Sequence, residues 1–178
     1  MTYKKILFTG PPGCGKSTLI ERIIQRIETP ATGFFTREIR EKGQRVGFSI
    51  NTLDLKQGLL AHKRIKSNYM VGKYGVNLAD IDKIAVPSMM PERPDALVVI
   101  DEIGKMECFS ELFRETLVKV LDSNHLVIGS ISLKGDRFIR KIKARVDVLL
   151  VLVSQQNRDA LARKYHEEYQ KEFIKKNI

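Results

Sequence analysis

Residues Gly10 to Thr18 read GPPGCGKST, and residues Leu97 to Ser110 read LVVIDEIGKMECFS. The first stretch fits the pattern of glycine, four residues, glycine, lysine, then serine or threonine, which builds a cradle for phosphate. Gly10, Gly13 and Gly15 let the backbone fold tightly enough to turn several N–H groups inward, making an anion nest at the positive end of the following helix. Lys16 adds a mobile charge for the β and γ phosphates. Ser17 supplies a hydroxyl to Mg2+, and Thr18 a donor for the α phosphate. Pro11, Pro12 and Cys14 occupy variable positions of the cradle, where the Cys14 thiol is a spectator. An ordinary tight turn capped by Ser17 would need neither the lysine nor the hydroxyls that follow the last glycine.

A triphosphate held this way brings Mg2+, which takes oxygen ligands, often through water. Asp101, at the end of an apolar run, meets that need. Neighbouring side chains on a regular strand point to opposite faces, so Asp101 and Glu102 should not approach one ion together. Glu102 is therefore assigned to the attacking water, which a carboxylate beside the γ phosphate can orient and polarise. Gly104 would turn the chain and return Lys105 and Glu107 to the cleft. There Lys105 could stabilise charge on the transferred phosphoryl group, while Glu107 could hold Lys105, the water or a group bound to Mg2+. A purely structural salt bridge is the competing reading for this pair.

The elements that would position these groups alternate. KKILFTG reads as a strand running into the glycine loop, and STLIERIIQRIE carries apolar residues at helical spacing until Thr29 and Pro30 end it. GFFTREIR and RVGFSINTL, joined by EKGQ, read as an antiparallel hairpin inserted over about 33–54. Residues 55–75 are ambiguous between short strands and a glycine-bearing loop. Asn77 is an N-cap for a helix that Pro87 should kink or end. ALVVID, HLVIGSI and VDVLLVLVS read as strands, separated by the helix SELFRETLVKVLDS and the basic segment KGDRFIRKIKAR, with a last helix from Asn157. In the basic segment, Phe138 and Ile142 are expected to bury one stripe. Such alternation predicts an α/β fold of three layers, a mostly parallel central sheet between helices, with ligands at the carboxyl ends of the strands.

Length and composition narrow the field. At 178 residues and 43% hydrophobic content, residues 1–178 are expected to form a single domain. No apolar run approaches a membrane span, so the expected location is the cytoplasm and a membrane is not an expected partner. Cys14 and Cys108 have no metal or redox spacing, and the three histidines form no ligand motif. A net charge of +10 favours polyanions. It does not choose between nucleotides and nucleic acid.

A phosphate loop followed by a strand ending in Asp-Glu resembles the additional-strand, catalytic-glutamate division of P-loop NTPases. Within it, TGPPGCGKSTLI, VGKYGVNL, NRD at residues 157–159 and especially VIDEIGKMECFS resemble the small nucleoside-triphosphatase family called cancer-related nucleoside triphosphatase in vertebrates. The resemblance implies Mg2+-dependent hydrolysis of ATP, GTP and other nucleoside triphosphates to diphosphates, with loose base selectivity. It also implies that HLVIGSI lies between the loop strand and the acidic strand, with Ser130 sensing the γ phosphate, and that Arg158 belongs to the nucleotide site. Two rival readings are a nucleotide or nucleoside kinase, with Arg137, Arg140 and Arg145 on a basic lid, and a nucleic-acid-associated ATPase. An arginine finger could come from any of these arginines, from Arg158, or from a protein partner.

Overall fold

Strands buried along nearly their whole length form the middle of one sheet. β1 (Lys5–Thr9) and β8 (Leu126–Ile131) are buried at every position, and β7 (Leu97–Ile103) at all but one, as expected where helices cover both faces. The computed structural model describes residues 3–27 and 29–176, the last five by backbone alone. The remaining strands are β2 (Ala31–Glu41), β3 (Gln44–Thr52), β4 (Gln57–His62), β5 (Met70–Val71), β6 (Tyr74–Val76) and β9 (Val148–Leu152). Their order is β5-β6-β4-β3-β2-β7-β8-β1-β9.

Strand β8 therefore stands between the loop strand β1 and the acidic strand β7, parallel to both. Two apolar clusters make the outer layers. On one face, α1 (Lys16–Ile24) and α6 (Arg158–Lys176) contribute Leu19, Ile20, Ile23, Tyr165 and Tyr169. On the other, α4 (Glu111–Asp122) and α5 (Arg137–Lys143) contribute Phe113, Leu117, Ile139 and Ile142. The helical segment between the two halves joins that second face. It runs through α2 (Leu78–Asp80), a π-helical stretch (Ile81–Ala85) and α3 (Val86–Ser88).

Several expectations need correction. The antiparallel part does not stop near residue 54: β2 pairs antiparallel with β3, β3 with β4, β4 with β6 and β6 with β5, so it reaches Val76. Nor is β2 wholly an insertion, because its first five residues pair parallel with β7. Gly33 permits that contact. Its φ is +118°, and a β-carbon there would lie 1.8 Å from the Val99 carbonyl oxygen. Helix α1 ends at Ile24, short of Thr29, because tighter turns follow: Arg26 N–H donates to Ile23 O and Ile27 N–H to Ile24 O. In α5 the buried stripe is Ile139 and Ile142, three apart, while Phe138 is half-buried with Arg114 5.9 Å over its ring. Asn77 does cap its helix, accepting from the Asp80 N–H at 3.4 Å. Pro87 follows the π-helical stretch, and only Ser88 continues the helix beyond it.

Candidate active site

The chain leaves β1 through a glycine that nothing larger can replace. A β-carbon on Gly10 would stand 2.4 Å from the Val153 carbonyl oxygen and 2.9 Å from the Cys14 sulfur. Gly13 and Gly15 then adopt φ of 74° and 98°, and Gly15 is the N-cap of α1. Left-handed φ at these positions is what a nest of inward N–H groups requires. Pro11 and Pro12 are exposed, whereas Cys14 is buried beneath the loop, consistent with a spectator thiol.

Lys16 is the first residue of α1 and is itself buried, with Nζ donating to Gly10 O at 3.3 Å. The same Nζ stands 3.9 Å from Glu102 Oε2, so the loop lysine and an acidic-strand carboxylate face one point. Ser17 is half-buried and Thr18 exposed on the same helix start.

Asp101 is 1% exposed. Ser130, on β8, donates to its Oδ1, while Oδ2 has no hydrogen-bond partner of good geometry. Burial pushes the Asp101 carboxyl above its usual range; the Ser130 and Ser17 hydroxyls and the charges of Arg37 and Lys16 oppose that shift. An unpartnered carboxylate oxygen at this depth is costly to leave bare. A cation held by the Ser17 hydroxyl and Asp101 would satisfy it, so these residues fit Mg2+. Ser130, fully buried, donates to Asp101 and so orients the carboxylate, a contact that the resemblance did not imply.

Glu102 is one-third exposed. The β7–β8 register shifts between Ile100 and Ile103, so the regular alternation that argued against Asp101 and Glu102 approaching one ion together does not hold here. Ser132 Oγ donates to Glu102 Oε1 at 2.9 Å. Burial raises the Glu102 pKa, with Lys16 opposing it.

Glu107 does return to the cleft and is 4% exposed. A β-carbon on Gly104 would lie 2.9 Å from Glu107 Oε2 and 3.5 Å from Glu102 Oε1, which places the two carboxyls around one glycine. Burial first, then the charge of Glu102, pushes the Glu107 pKa up to about 8. Lys105 departs from expectation. It is exposed, with Nζ 5.9 Å over the Phe109 ring, and among the described residues no ion pair joins it to Glu107. The short 3-10 turn Glu107–Phe109 carries Glu107 inward and leaves Lys105 outside.

Arg158 opens α6 and lies over the loop: its Cδ is 2.5 Å from where a β-carbon of Gly15 would be. Arg145 is pinned by Asp122 at 2.7 Å and Asp147 at 2.8 Å, so it is not available as a finger. Arg137 and Arg140 are exposed on α5. Sequence reasoning missed two groups. Ser132 follows Ser130 by two, the spacing that shares a strand face, and this could have flagged it. Arg37, ion-paired with Glu21 and 5.0 Å over the Phe35 ring, acts on Asp101 from β2; nothing local marked it.

The profile of the NTPase family matches residues 5–165. The chain is 46% identical over 158 residues to nucleoside-triphosphatase THEP1 of Thermotoga sp. (strain RQ2), covering 88% of this chain and 90% of that protein. It is 33% identical over 175 residues to the cancer-related nucleoside-triphosphatase of Homo sapiens, covering 89% and 92%. The crystal structure of THEP1 from Aquifex aeolicus superposes with a TM-score of 0.82 at 33% identity, over 90% of this chain and 96% of that one. The solution structure of the human cancer-related enzyme does so with a TM-score of 0.79 at 31% identity, over 94% and 97%. Among the described residues, no helix is long and apolar enough to cross a membrane.

Proposed function

Since the chain belongs to the NTPase family, we propose that it is a Mg2+-dependent nucleoside-triphosphatase, cleaving the terminal phosphoanhydride with little regard for the base. The observation that carries this reading is the convergence of Lys16 and Glu102, 3.9 Å apart, beside a buried Asp101 with an unpartnered oxygen. The nest formed by residues 10–15 binds the phosphate chain, and Lys16 leaves Glu102 to bridge the β and γ phosphates. Thr18 donates to the α phosphate, and Arg158 adds positive charge along the loop. Ser17 and Asp101 would hold Mg2+, which would supply positive charge against the negative charge of the phosphate chain.

Glu102, oriented by Ser132, accepts a proton from the water that attacks the γ phosphorus. The bond from that phosphorus to the bridging oxygen breaks, and the diphosphate leaves with the electron pair. Glu107, protonated at neutral pH by its burial, keeps a second negative charge away from Glu102 while the incoming γ phosphate is near. Lys105 has no part in this scheme.

Phosphate release from ATP, GTP, CTP and UTP, with Mg2+ or with a chelator, tests the reading. Comparable turnover of all four in Mg2+ alone is expected, and Lys16→Ala should reduce it about a thousandfold or more. Near-wild-type turnover in that variant sinks the assignment. Phosphate appearing on an added nucleoside or nucleotide instead of in solution would favour the kinase reading, and stimulation by DNA or RNA the nucleic-acid-associated one.

A further inference from the structure

A cavity of 290 Å³ adjoins the phosphate loop, lined by Pro11, Pro12, Cys14, Ser154, Gln155 and Gln156. It is near the small end of ligand pockets, at about 300 Å³. Its place in the sheet sets its use. The loop follows β1, with β8 and β7 on one side and β9 on the other. Asp101 and Glu102 end β7, so the reacting γ end of a phosphate chain lies toward β7. Ser154 to Gln156 follow β9, where the opposite end of the chain must emerge.

The turn that carries these residues is fixed. Asn157 Oδ1 accepts from the Ser154 N–H at 2.8 Å, Ser154 Oγ accepts from the Asn157 N–H at 3.3 Å, and Asn157 Nδ2 donates to Leu152 O at 3.0 Å. Between the two anchored residues, Gln155 and Gln156 are exposed and their amides have no hydrogen-bond partner among the described residues. Pro11 and Pro12 add rigid apolar surface without a donor. Arg158, two residues beyond Gln156, lies over Gly15 at the passage from cavity to loop.

We propose that this cavity receives the nucleoside of the substrate, with Gln155 and Gln156 as the groups that meet the base edge. This rests on the triphosphatase reading above. Each glutamine amide carries both a donor and an acceptor and can turn over. A purine or a pyrimidine, whether it offers an amino group or a carbonyl first, finds a complementary partner. Permissive base selection then comes from two adaptable amides on a rigid turn.

The test is calorimetric, on the full chain with Mg2+. ADP, GDP, CDP and UDP are the ligands, and inorganic pyrophosphate is the nucleoside-free probe. In Gln155→Ala/Gln156→Ala the four diphosphates should weaken by about tenfold relative to pyrophosphate, the loss expected for two hydrogen bonds. In Gln155→Glu and Gln156→Glu the edge becomes acceptor-only. Guanine, with adjacent N1–H and N2–H donors, should gain about fivefold over the other bases in at least one of the two variants. Diphosphates and pyrophosphate shifting together in the alanine variant, or not shifting, overturns the proposal. So does an unchanged base ranking in both glutamate variants. Phosphate release by the wild type separates the two levels: if it hydrolyses triphosphates and these results fail, only the base site is wrong. If it hydrolyses none, the underlying reading fails.

Discussion

The parallel strands β9, β1, β8, β7 and β2 and the antiparallel strands β3 to β6 share one sheet, yet they differ in what they carry. The parallel half delivers Lys16, Asp101, Glu102, Ser130 and Ser132 to one edge, because every one of its strands ends on the same side. The antiparallel wing alternates direction, so its ends are divided between two edges and gather nothing comparable. The wing contributes core instead: Ile50, Leu60, Ala61, Tyr74 and Val76 are buried in the cluster that also holds Phe113 and Ile139. Parallel pairing concentrates chemistry, and antiparallel pairing here adds packing.

That division can be broken experimentally. Its strongest form predicts that Glu102→Gln lowers single-turnover hydrolysis by about a hundred- to ten-thousandfold while Mg2+-nucleotide affinity and unfolding free energy stay near the wild type. A variant that hydrolyses normally would move the water-positioning role to another group, with Glu107 the nearest candidate.

Next in size is Glu107→Gln. The folded-state pKa of Glu107 is raised from an ordinary 4.5 to about 8. The folded protein therefore holds a proton that the unfolded chain gives up, and stability falls as pH rises between those values. Each pH unit in that window costs the wild type about 1.4 kcal/mol. Glutamine removes this dependence, so denaturant titrations at pH 5, 7 and 8.5 should show the variant gaining on the wild type by a few kcal/mol at the highest pH. Parallel curves for the two proteins would show that Glu107 ionises without penalty.

The smallest effect belongs to the wing. Ile50→Val removes one buried methylene and should cost about 0.5–1.5 kcal/mol of stability, with turnover per folded molecule unchanged. A loss of turnover at full stability would show that the wing does more than pack.

How much could be read beforehand followed the range of the signal. The phosphate loop lies in nine consecutive residues, so its glycines, lysine and hydroxyls could be identified without knowing what they touch. Asp101 and Glu102 were readable because an apolar run announces the strand that ends in them. Ser132 had only its spacing from Ser130 to mark it, and Arg37 had no local mark at all, because its role depends on which strands lie side by side and in what register. The strands Met70–Val71 and Tyr74–Val76 are too short to show alternation, which is why residues 55–75 stayed ambiguous. Lys105 was misplaced for a related reason: a glycine shows that the chain turns, but not which of the following side chains the turn carries inward.

Gly33 joins the two halves. Through it a single strand belongs to both pairing schemes, parallel on the β7 side and antiparallel on the β3 side. Any larger residue at 33 would meet the Val99 carbonyl head-on. It would part β2 from β7 along the line where one kind of sheet becomes the other, and four further strands would lose their mooring together. The molecule thus has a seam closed by a missing methyl group, and the outer strands stay aligned with the catalytic half only while position 33 carries no side chain.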